Sequence, residues 1–170
     1  MKLAFPGDEL QQRFYALSRS LHPDRFTRRS EQERQYSLDA SSLLNDAYRA
    51  LRDPVQRAEY VLKQNGFDIG EQRSNNVPPE LLEEVFELNM ALEEMRGGDE
   101  SARPQLEAAQ ANFLRMRDDI DQQLEVKFRQ WDETGDRDKL AEVRGLLNRR
   151  KYVLNLVKQT EETLAPAIQG

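Results

Sequence analysis

Apolar residues near the start of the chain recur three or four positions apart, a spacing that predicts amphipathic helices. Three helices are predicted, over residues 8–21, 31–51 and 54–65. The first ends there because Pro23 disfavours the helical conformation at the residue before it. The Asp53-Pro54 pair is a capping residue followed by proline at the first helical position. The predicted core positions are Leu10, Phe14, Leu17 and Leu21, then Ala40, Leu44, Ala47 and Leu51, then Ala58, Val61 and Leu62.

The rest of the chain predicts three longer helices joined by short turns. Pro78-Pro79-Glu80 opens a helix that the Gly97-Gly98 pair ends. Two further helices are predicted over about 101–131 and 136–164. Short turns favour an antiparallel three-helix bundle. Because no useful run alternates apolar and polar residues, the predicted fold class is all-α.

Between these two groups of helices, residues 66–77 contain Gly, Ser and Asn and few apolar groups, which predicts a linker. The predicted organisation is therefore an N-terminal domain over 1–65, a linker over 66–77 and a C-terminal domain over 78–170. Charge divides in the same way, with a formal charge of +2 over residues 1–64 and −8 over residues 65–170. That division favours two domains with different partners.

The helix predicted after residue 80 has more apolar residues than a bundle needs. Its core face is complete with Leu81, Val85, Leu88, Leu92 and Met95. A second stripe, Leu82, Phe86 and Met90, lies roughly 100° or more away and is flanked by Glu83 and Glu87. This stripe packs on a neighbouring helix or on the N-terminal domain, or it forms a patch for a partner. In the last helix the predicted seam is Val143, Leu147, Leu154 and Val157, which leaves Tyr152 and Leu156 outside it.

Composition narrows the possible functions. The 170 residues include no cysteine and one histidine, His22, which excludes disulfides, thiolate metal sites and multi-histidine metal sites. The net charge of −6 argues against a general nucleic-acid binder. No apolar run approaches the roughly 20 residues of a membrane span, and no signal peptide opens the chain. We expect a cytoplasmic protein with no membrane, nucleic-acid, metal or cofactor partner.

One tripeptide, His22-Pro23-Asp24, stands at the end of a helix with a basic outer face. Alone, it favours a simple helix stop, with Pro23 ending the helix and Asp24 capping the loop, over a functional loop. Its context is more specific, because Asn45-Asp46-Ala47-Tyr48, Leu51, Asp53-Pro54 and Arg57-Ala58-Glu59-Tyr60 follow in order. This pattern resembles the J-domain signature. The stretch from Arg57 to Leu62, then Gly66-Phe67-Asp68 and an acidic helical bundle, resembles the HscB family, J-type co-chaperones of iron–sulfur cluster assembly.

The resemblance implies a J-domain-like helical hairpin at the N-terminus. The short helix that normally opens such a domain is expected to be missing, since only Met1 to Gly7 precede Asp8. The two following helices would then lose a packing partner. The resemblance also implies that the His-Pro-Asp loop engages an HscA/DnaK-type ATPase chaperone and stimulates its ATPase, while the chain itself is no enzyme.

The residues expected to contact the chaperone are His22, Pro23, Asp24, Arg13, Arg19 and Arg25. The arginines would steer an acidic partner surface, together with Arg28 and Arg29, or would merely form a solvated face. The resemblance further implies an IscU-type iron–sulfur scaffold bound at Leu82, Glu83, Phe86, Glu87, Met90 and Tyr152. Met90 departs from the acidic residue often found at its position in the family.

Other functions remain open at this point. A general J-domain co-chaperone with a different client would share the loop without needing the stripe. A helical enzyme using His22 and Asp24 is disfavoured, because Pro23 separates them on an exposed loop. A plain helical adaptor would explain the helical bundle, but it would not explain why the tripeptide and the motifs that follow it occur together. Since the chain has no cysteine, it cannot hold a cluster by thiolates and should act on the scaffold as an adaptor.

Overall fold

Every α-helix in the computed structural model lies where the apolar periodicity places one. The structure describes residues 1–68 and 77–165, and within those two stretches it has no strand, which agrees with the all-α prediction. The α-helices are α1 Gly7–Leu21, α2 Glu31–Arg52, α3 Pro54–Gln64, α4 Leu82–Arg96, α5 Arg103–Thr134 and α6 Arg137–Leu164. Short 3₁₀ turns cover Pro23–Phe26, Pro79–Leu81 and Glu100–Ala102. None of the described helices combines the length and the apolar character of a membrane span.

The chain divides into two compact units. The first contains Met1–Ile69 together with Phe128–Leu140, and the second contains Gly70–Lys127 together with Ala141–Gly170. The long helices α5 and α6 therefore contribute their adjoining ends to the first unit. The linker predicted over 66–77 falls mostly outside the described residues, and the domain limits 1–65 and 78–170 stay a prediction.

In the first unit, α1 and α2 form an antiparallel hairpin. The rings of Phe14 and Tyr48 stack with centroids 4.1 Å apart, while Ser37, eleven residues before Tyr48, donates a hydrogen bond to the carbonyl of Leu21. α2 begins at a capping box in which Ser30 and Glu33 exchange hydrogen bonds. Asp53 caps α3 by accepting from the backbone N–H of Gln56 at 2.9 Å, as the Asp53-Pro54 pair predicts.

The predicted core of the hairpin is only partly buried. Ala58, Val61 and Leu62 of α3 are buried as predicted. In α1, by contrast, no residue is fully buried, and Leu17 is 49% exposed. Ala47 of α2 is also exposed, so the prediction that these two positions lie in the core is wrong. The physical reason is that two helices packed side by side bury a narrow seam and leave the edges of each apolar face in solvent.

The first five residues, Met1 to Phe5, form a segment that we call the N-terminal strap. Leu3 is fully buried, and the carboxylate of Asp132 in α5 accepts hydrogen bonds from the N–H groups of Leu3 and Ala4, at 2.6 and 2.7 Å. On the other side, Arg57 of α3 donates from Nε to the carbonyl of Leu3 at 2.7 Å. The strap therefore joins α3 to the end of α5 within the first unit.

Arg57 is a cation that is 6% exposed. It also donates from Nη1 to the carbonyl of Leu51 at 2.6 Å, and its guanidinium lies 4.3 Å from the centroid of the Phe5 ring. Loss of hydration on burial lowers the pKa of Arg57, whereas the carboxylates of Asp132 and Asp53 act in the opposite direction. Arginine remains charged in such a site because its pKa starts so high.

In the second unit, α5 and α6 run antiparallel. Among the contacts that join the two helices, Arg103 donates to the carbonyl of Leu164, Arg150 makes a bidentate hydrogen bond to Asp121, and Lys127 pairs with Glu142. The residue number rises along α5 while that of its partner falls along α6, as in an antiparallel pair. The turn before α5 contains Gly98 with positive φ, and Gly135, which belongs to the first unit, has positive φ in the turn before α6. The core contains Leu81, Leu88, Leu92, Phe113, Ile120, Leu124, Val143, Val153 and Val157, all buried.

The seam predicted for α6 is partly wrong. Val143 and Val157 are buried, but Leu147 and Leu154 are only partly so, and Leu156, placed outside the seam, is buried. The cause is that α6 has two neighbours. Arg150 pairs with Asp121 of α5, while the adjacent Arg149 lies 3.5 Å from Glu80 in the 3₁₀ turn that precedes α4. A helix packed between two neighbours buries residues around more of its circumference than one apolar seam covers.

We predict that Asp132→Asn lowers the free energy of unfolding by about 1–3 kcal/mol, because an amide nitrogen cannot accept one of the two strap N–H groups. Urea denaturation followed by circular dichroism measures the change. Glu133→Gln is the matched control: it removes the same charge from an exposed neighbour and should change stability by less than about 0.5 kcal/mol. Equal stabilities for the two variants would show that the carboxylate does not hold the strap.

Candidate functional site

The His22-Pro23-Asp24 tripeptide lies on an exposed loop that starts where α1 ends. His22 has φ −59° and ψ 129°, the extended conformation that a following proline favours. The chain then continues as the 3₁₀ turn Pro23–Phe26. The His22 side chain is 55% exposed and that of Asp24 is 86% exposed. The loop therefore offers an imidazole and a carboxylate to an approaching molecule.

The His22 ring has a defined local partner. Its Nδ1 accepts a hydrogen bond from the backbone N–H of Asp24 at 3.3 Å, and it lies 3.5 Å from the carboxylate of the same residue. An accepting Nδ1 carries no proton, so in the neutral ring the proton is on Nε2, which is left to donate. The geometry gives one donor from His22 and one charged acceptor from Asp24.

Two serines of α2 hold the beginning of the loop. The carbonyl of Leu21 cannot find a partner within α1, because the helix ends there. Ser37 Oγ and Ser41 Oγ donate to it at 2.6 and 3.0 Å, from one turn apart on α2. Sequence reasoning missed both serines. The available signal was two polar residues, four positions apart, on the apolar face predicted for this helix.

The arginines assigned to chaperone contact do not form one surface. Arg19 lies in the last turn of α1, and Arg25 follows in the loop, where its Nη1 lies 3.4 Å from the carbonyl oxygen of Arg19. Arg13 is six residues before Arg19, which at 100° per residue turns it about 120° around the helix. It also pairs with Glu9 at 2.5 Å. The structure therefore brings Arg19 and Arg25 to the loop and leaves Arg13 apart.

The second unit carries a different kind of surface. Leu82, Phe86 and Met90 of α4 are 55%, 66% and 49% exposed. On the core face of the same helix Val85, Leu88 and Leu92 are buried, and Met95 is partly buried. We call the three exposed residues the α4 stripe. Glu83 and Glu87 beside it are exposed. Large apolar side chains this exposed are not packed on a neighbouring helix, so that interpretation of the stripe is wrong.

Tyr152 lies on α6 and is partly buried, and this burial raises the pKa of its hydroxyl. The aromatic pairs of the described residues join Phe14 with Tyr15 and with Tyr48, and do not include Phe86 with Tyr152. The structure thus brings the five candidate residues of α4 together on one helix and does not stack Tyr152 against Phe86.

Two observations on the described residues concern metal and acid–base chemistry. These residues contain no group of three or more His, Asp or Glu side chains able to hold a metal ion. His22 and Asp24 are exposed to water, whereas acid–base pairs usually work where water is excluded. Two exposed surfaces are therefore candidates for recognition: a polar loop on the first unit and an apolar stripe on the second.

Comparison with known proteins gives consistent matches. A family model described as the HSCB C-terminal oligomerisation domain matches residues 77–161. A co-chaperone protein HscB homolog of Vibrio vulnificus is 36% identical over 141 residues, which is 80% of this chain and 80% of the relative. The iron-sulfur cluster co-chaperone protein HscB of Mus musculus is 31% identical over 158 residues, which is 93% of this chain and 62% of the relative.

A solved structure agrees with these sequence matches. The crystal structure of human co-chaperone protein HscB is similar with a TM-score of 0.68 and 27% identity, over 95% of this chain and 76% of that chain. The J-like helical hairpin, the helical bundle and the Vibrio relative lead to one conclusion: the chain belongs to the HscB family.

Proposed function

We propose that this protein is a J-type co-chaperone of iron–sulfur cluster assembly, acting in the cytoplasm. In this function it stimulates the ATPase of an HscA/DnaK-type chaperone and delivers an IscU-type scaffold protein to it. The relatives from Vibrio vulnificus and mouse are both named co-chaperones, and the mouse protein is named for iron–sulfur clusters. The chain itself would catalyse no reaction.

The observation that carries the proposal is the exposed and braced His22-Pro23-Asp24 loop. An unbraced loop would have to be ordered when a partner binds, at an entropic cost. Here the Leu21 carbonyl is already held by Ser37 and Ser41, so the imidazole and the carboxylate start from a fixed backbone. The Asp24 carboxylate supplies a charge-assisted acceptor to the chaperone.

The arginines near the loop would act at an earlier stage. Arg19 and Arg25 present positive charge beside the loop, which speeds encounter with an acidic chaperone surface. In a chain with a net charge of −6, such a local basic region directs an acidic partner to the loop of the first unit. Arg13, paired with Glu9 and turned away, would contribute less.

The α4 stripe supports the scaffold part of the proposal. Three large apolar side chains left in solvent are an unfavourable arrangement unless something covers them. Glu83 and Glu87 beside them add a charged rim that keeps the free surface soluble and sets the sign of the partner's charge. A co-chaperone with an unrelated client would not need this combination, so the stripe favours an IscU-type client over a general one.

We expect His22→Gln to leave helical content and scaffold binding unchanged and to abolish stimulation of the chaperone's ATPase. Glutamine keeps a polar side chain, but it loses the ring that accepts from the Asp24 N–H. The measurement is ATP turnover by the chaperone at increasing co-chaperone concentration. Stimulation equal to that of the parent protein would refute the J-domain assignment.

Reversing the charge of Arg19 should weaken stimulation on the order of tenfold at low salt, and less at high salt, because steering is screened by ions. The matched control is Lys63→Glu, which makes the same charge change in the last turn of α3. Turnover measured over a salt series compares the two slopes. If both variants change the dependence of turnover on salt concentration equally, the effect comes from the net charge of the protein and not from the position of Arg19.

Replacing Leu82, Phe86 and Met90 together with Ala should leave the melting temperature nearly unchanged, because these side chains are already half or more exposed. If a partner covers their exposed parts, the loss is about 2–4 kcal/mol, or roughly 30- to 1,000-fold in affinity. Calorimetric titration with an IscU-type scaffold measures it, and Val126→Ala, an exposed apolar residue of α5, is the control.

The same triple variant separates scaffold binding from self-association. The family model that matches the bundle is described as an oligomerisation domain. Sedimentation of the parent and the variant shows whether the stripe joins two copies. A parent dimer that the variant lacks, together with unchanged scaffold affinity, would overturn the assignment of the α4 stripe to the scaffold.

A further inference from the structure

Helices α4 and α5 leave a groove of about 210 Å³ between them, within the second unit. Its floor is apolar and buried, with Leu88 and Ala91 from α4 and Phe113 from α5. The opposite wall contains Ala108, whose small side chain leaves the space unfilled. Sites for small molecules usually have about 300–1,000 Å³. This groove has room for one long side chain, and not for a cofactor.

The rim of the groove is acidic on the α4 side. Glu84 and Glu87, one turn apart, both border it. Within the described residues, neither carboxylate takes part in any of the ion pairs or hydrogen bonds found. Gln105 and Asn112 of α5 also line the groove with uncharged amides. The α4 helix dipole accounts for an acidic residue at Glu84 in the first turn. The helix dipole does not account for the apolar groove that lies between these carboxylates and α5.

An apolar floor beneath two carboxylates matches one kind of side chain. Lysine and arginine have an aliphatic stem that packs on apolar surface and a cationic head that stays at the polar edge. The stem would lie on Ala91 and Ala108, and the head would reach Glu84 and Glu87. Such a cation would also relieve the repulsion between two like charges one helical turn apart.

The groove lies close to the α4 stripe. Glu87 directly follows Phe86 in the sequence, so on α4 it points about 100° away from that residue of the stripe, towards the groove. We infer that the groove is a subsite for a basic side chain of the scaffold protein, entered past Glu87 when the scaffold covers the α4 stripe. This inference rests on the proposed function, because it concerns the same partner and the same helix.

The test fills the groove and, separately, neutralises its rim. Ala108→Leu places a larger side chain in the groove, while Ala111→Leu makes the same change at an exposed position of α5 outside it. Glu84→Gln removes one rim charge, and Glu107→Gln removes a charge from α5 outside the groove. All four substitutions put good helix formers at surface positions, and melting curves verify that each variant is folded.

Titration with an IscU-type scaffold should give about tenfold weaker binding for Ala108→Leu and Glu84→Gln and parental affinity for both controls. Glu84→Lys should regain affinity for a scaffold variant in which one exposed Lys or Arg has become Glu. If the two groove variants bind like the parent while the α4 stripe variant does not, the groove inference is wrong and the proposed function stands. If the parent itself does not bind the scaffold, both are wrong.

Discussion

The first unit depends on how the last backbone carbonyl of α1 obtains hydrogen-bond donors. Pro23 stops the helix, and this leaves the carbonyl of Leu21 without a partner in its own helix. Ser37 and Ser41 supply two hydroxyl donors to that one carbonyl. The same pair of bonds fixes where α2 lies along α1 and where the exposed loop begins. The exposed loop is thus held at its first residues by hydrogen bonds from α2.

In the N-terminal strap, too, backbone groups need hydrogen-bond partners, and here charged side chains provide them. Two backbone N–H groups of the strap would be unsatisfied near a buried leucine, and Asp132 accepts from both. The carbonyl of Leu3 between them accepts from Arg57, which is itself nearly buried. Opposite charges on the two sides of one short segment reduce the desolvation cost that either would carry alone. Removing Asp132 would leave the buried Arg57 with less compensating negative charge.

Periodicity predicted the helices well because local spacing determines which residues can share a helix face. The core of α3 and the buried face of α4 follow directly from it, and so does the surplus stripe, since a helix in a bundle can bury only one arc. The exposure of Leu17 and the burial of Leu156 could not be read in this way. Each depends on how many neighbours a helix has, which spacing along one helix does not contain.

Other features depend on residues distant in sequence. Arg57 belongs to the tetrapeptide that carries the family resemblance, yet its burial beneath the strap needs Leu3 and Phe5, more than fifty positions away. The groove needs alanines of α5 opposite glutamates of α4. By contrast, the His-Pro-Asp loop was predictable, because a proline after an amphipathic helix forces an exposed turn through local sterics alone.

The His-Pro-Asp loop and the α4 stripe have opposite chemistry, and the proposed function accounts for the difference. A polar loop with a nearby pair of arginines makes contacts that water can replace, so it suits an encounter that forms and ends quickly. The α4 stripe gains by removing apolar area from water, which suits a client that remains bound during transfer. An adaptor with two apolar surfaces would tend to aggregate, and one with two polar surfaces would hold its client weakly. In the proposed function, this combination would let one chain hold a client at one surface while its other partner binds and leaves.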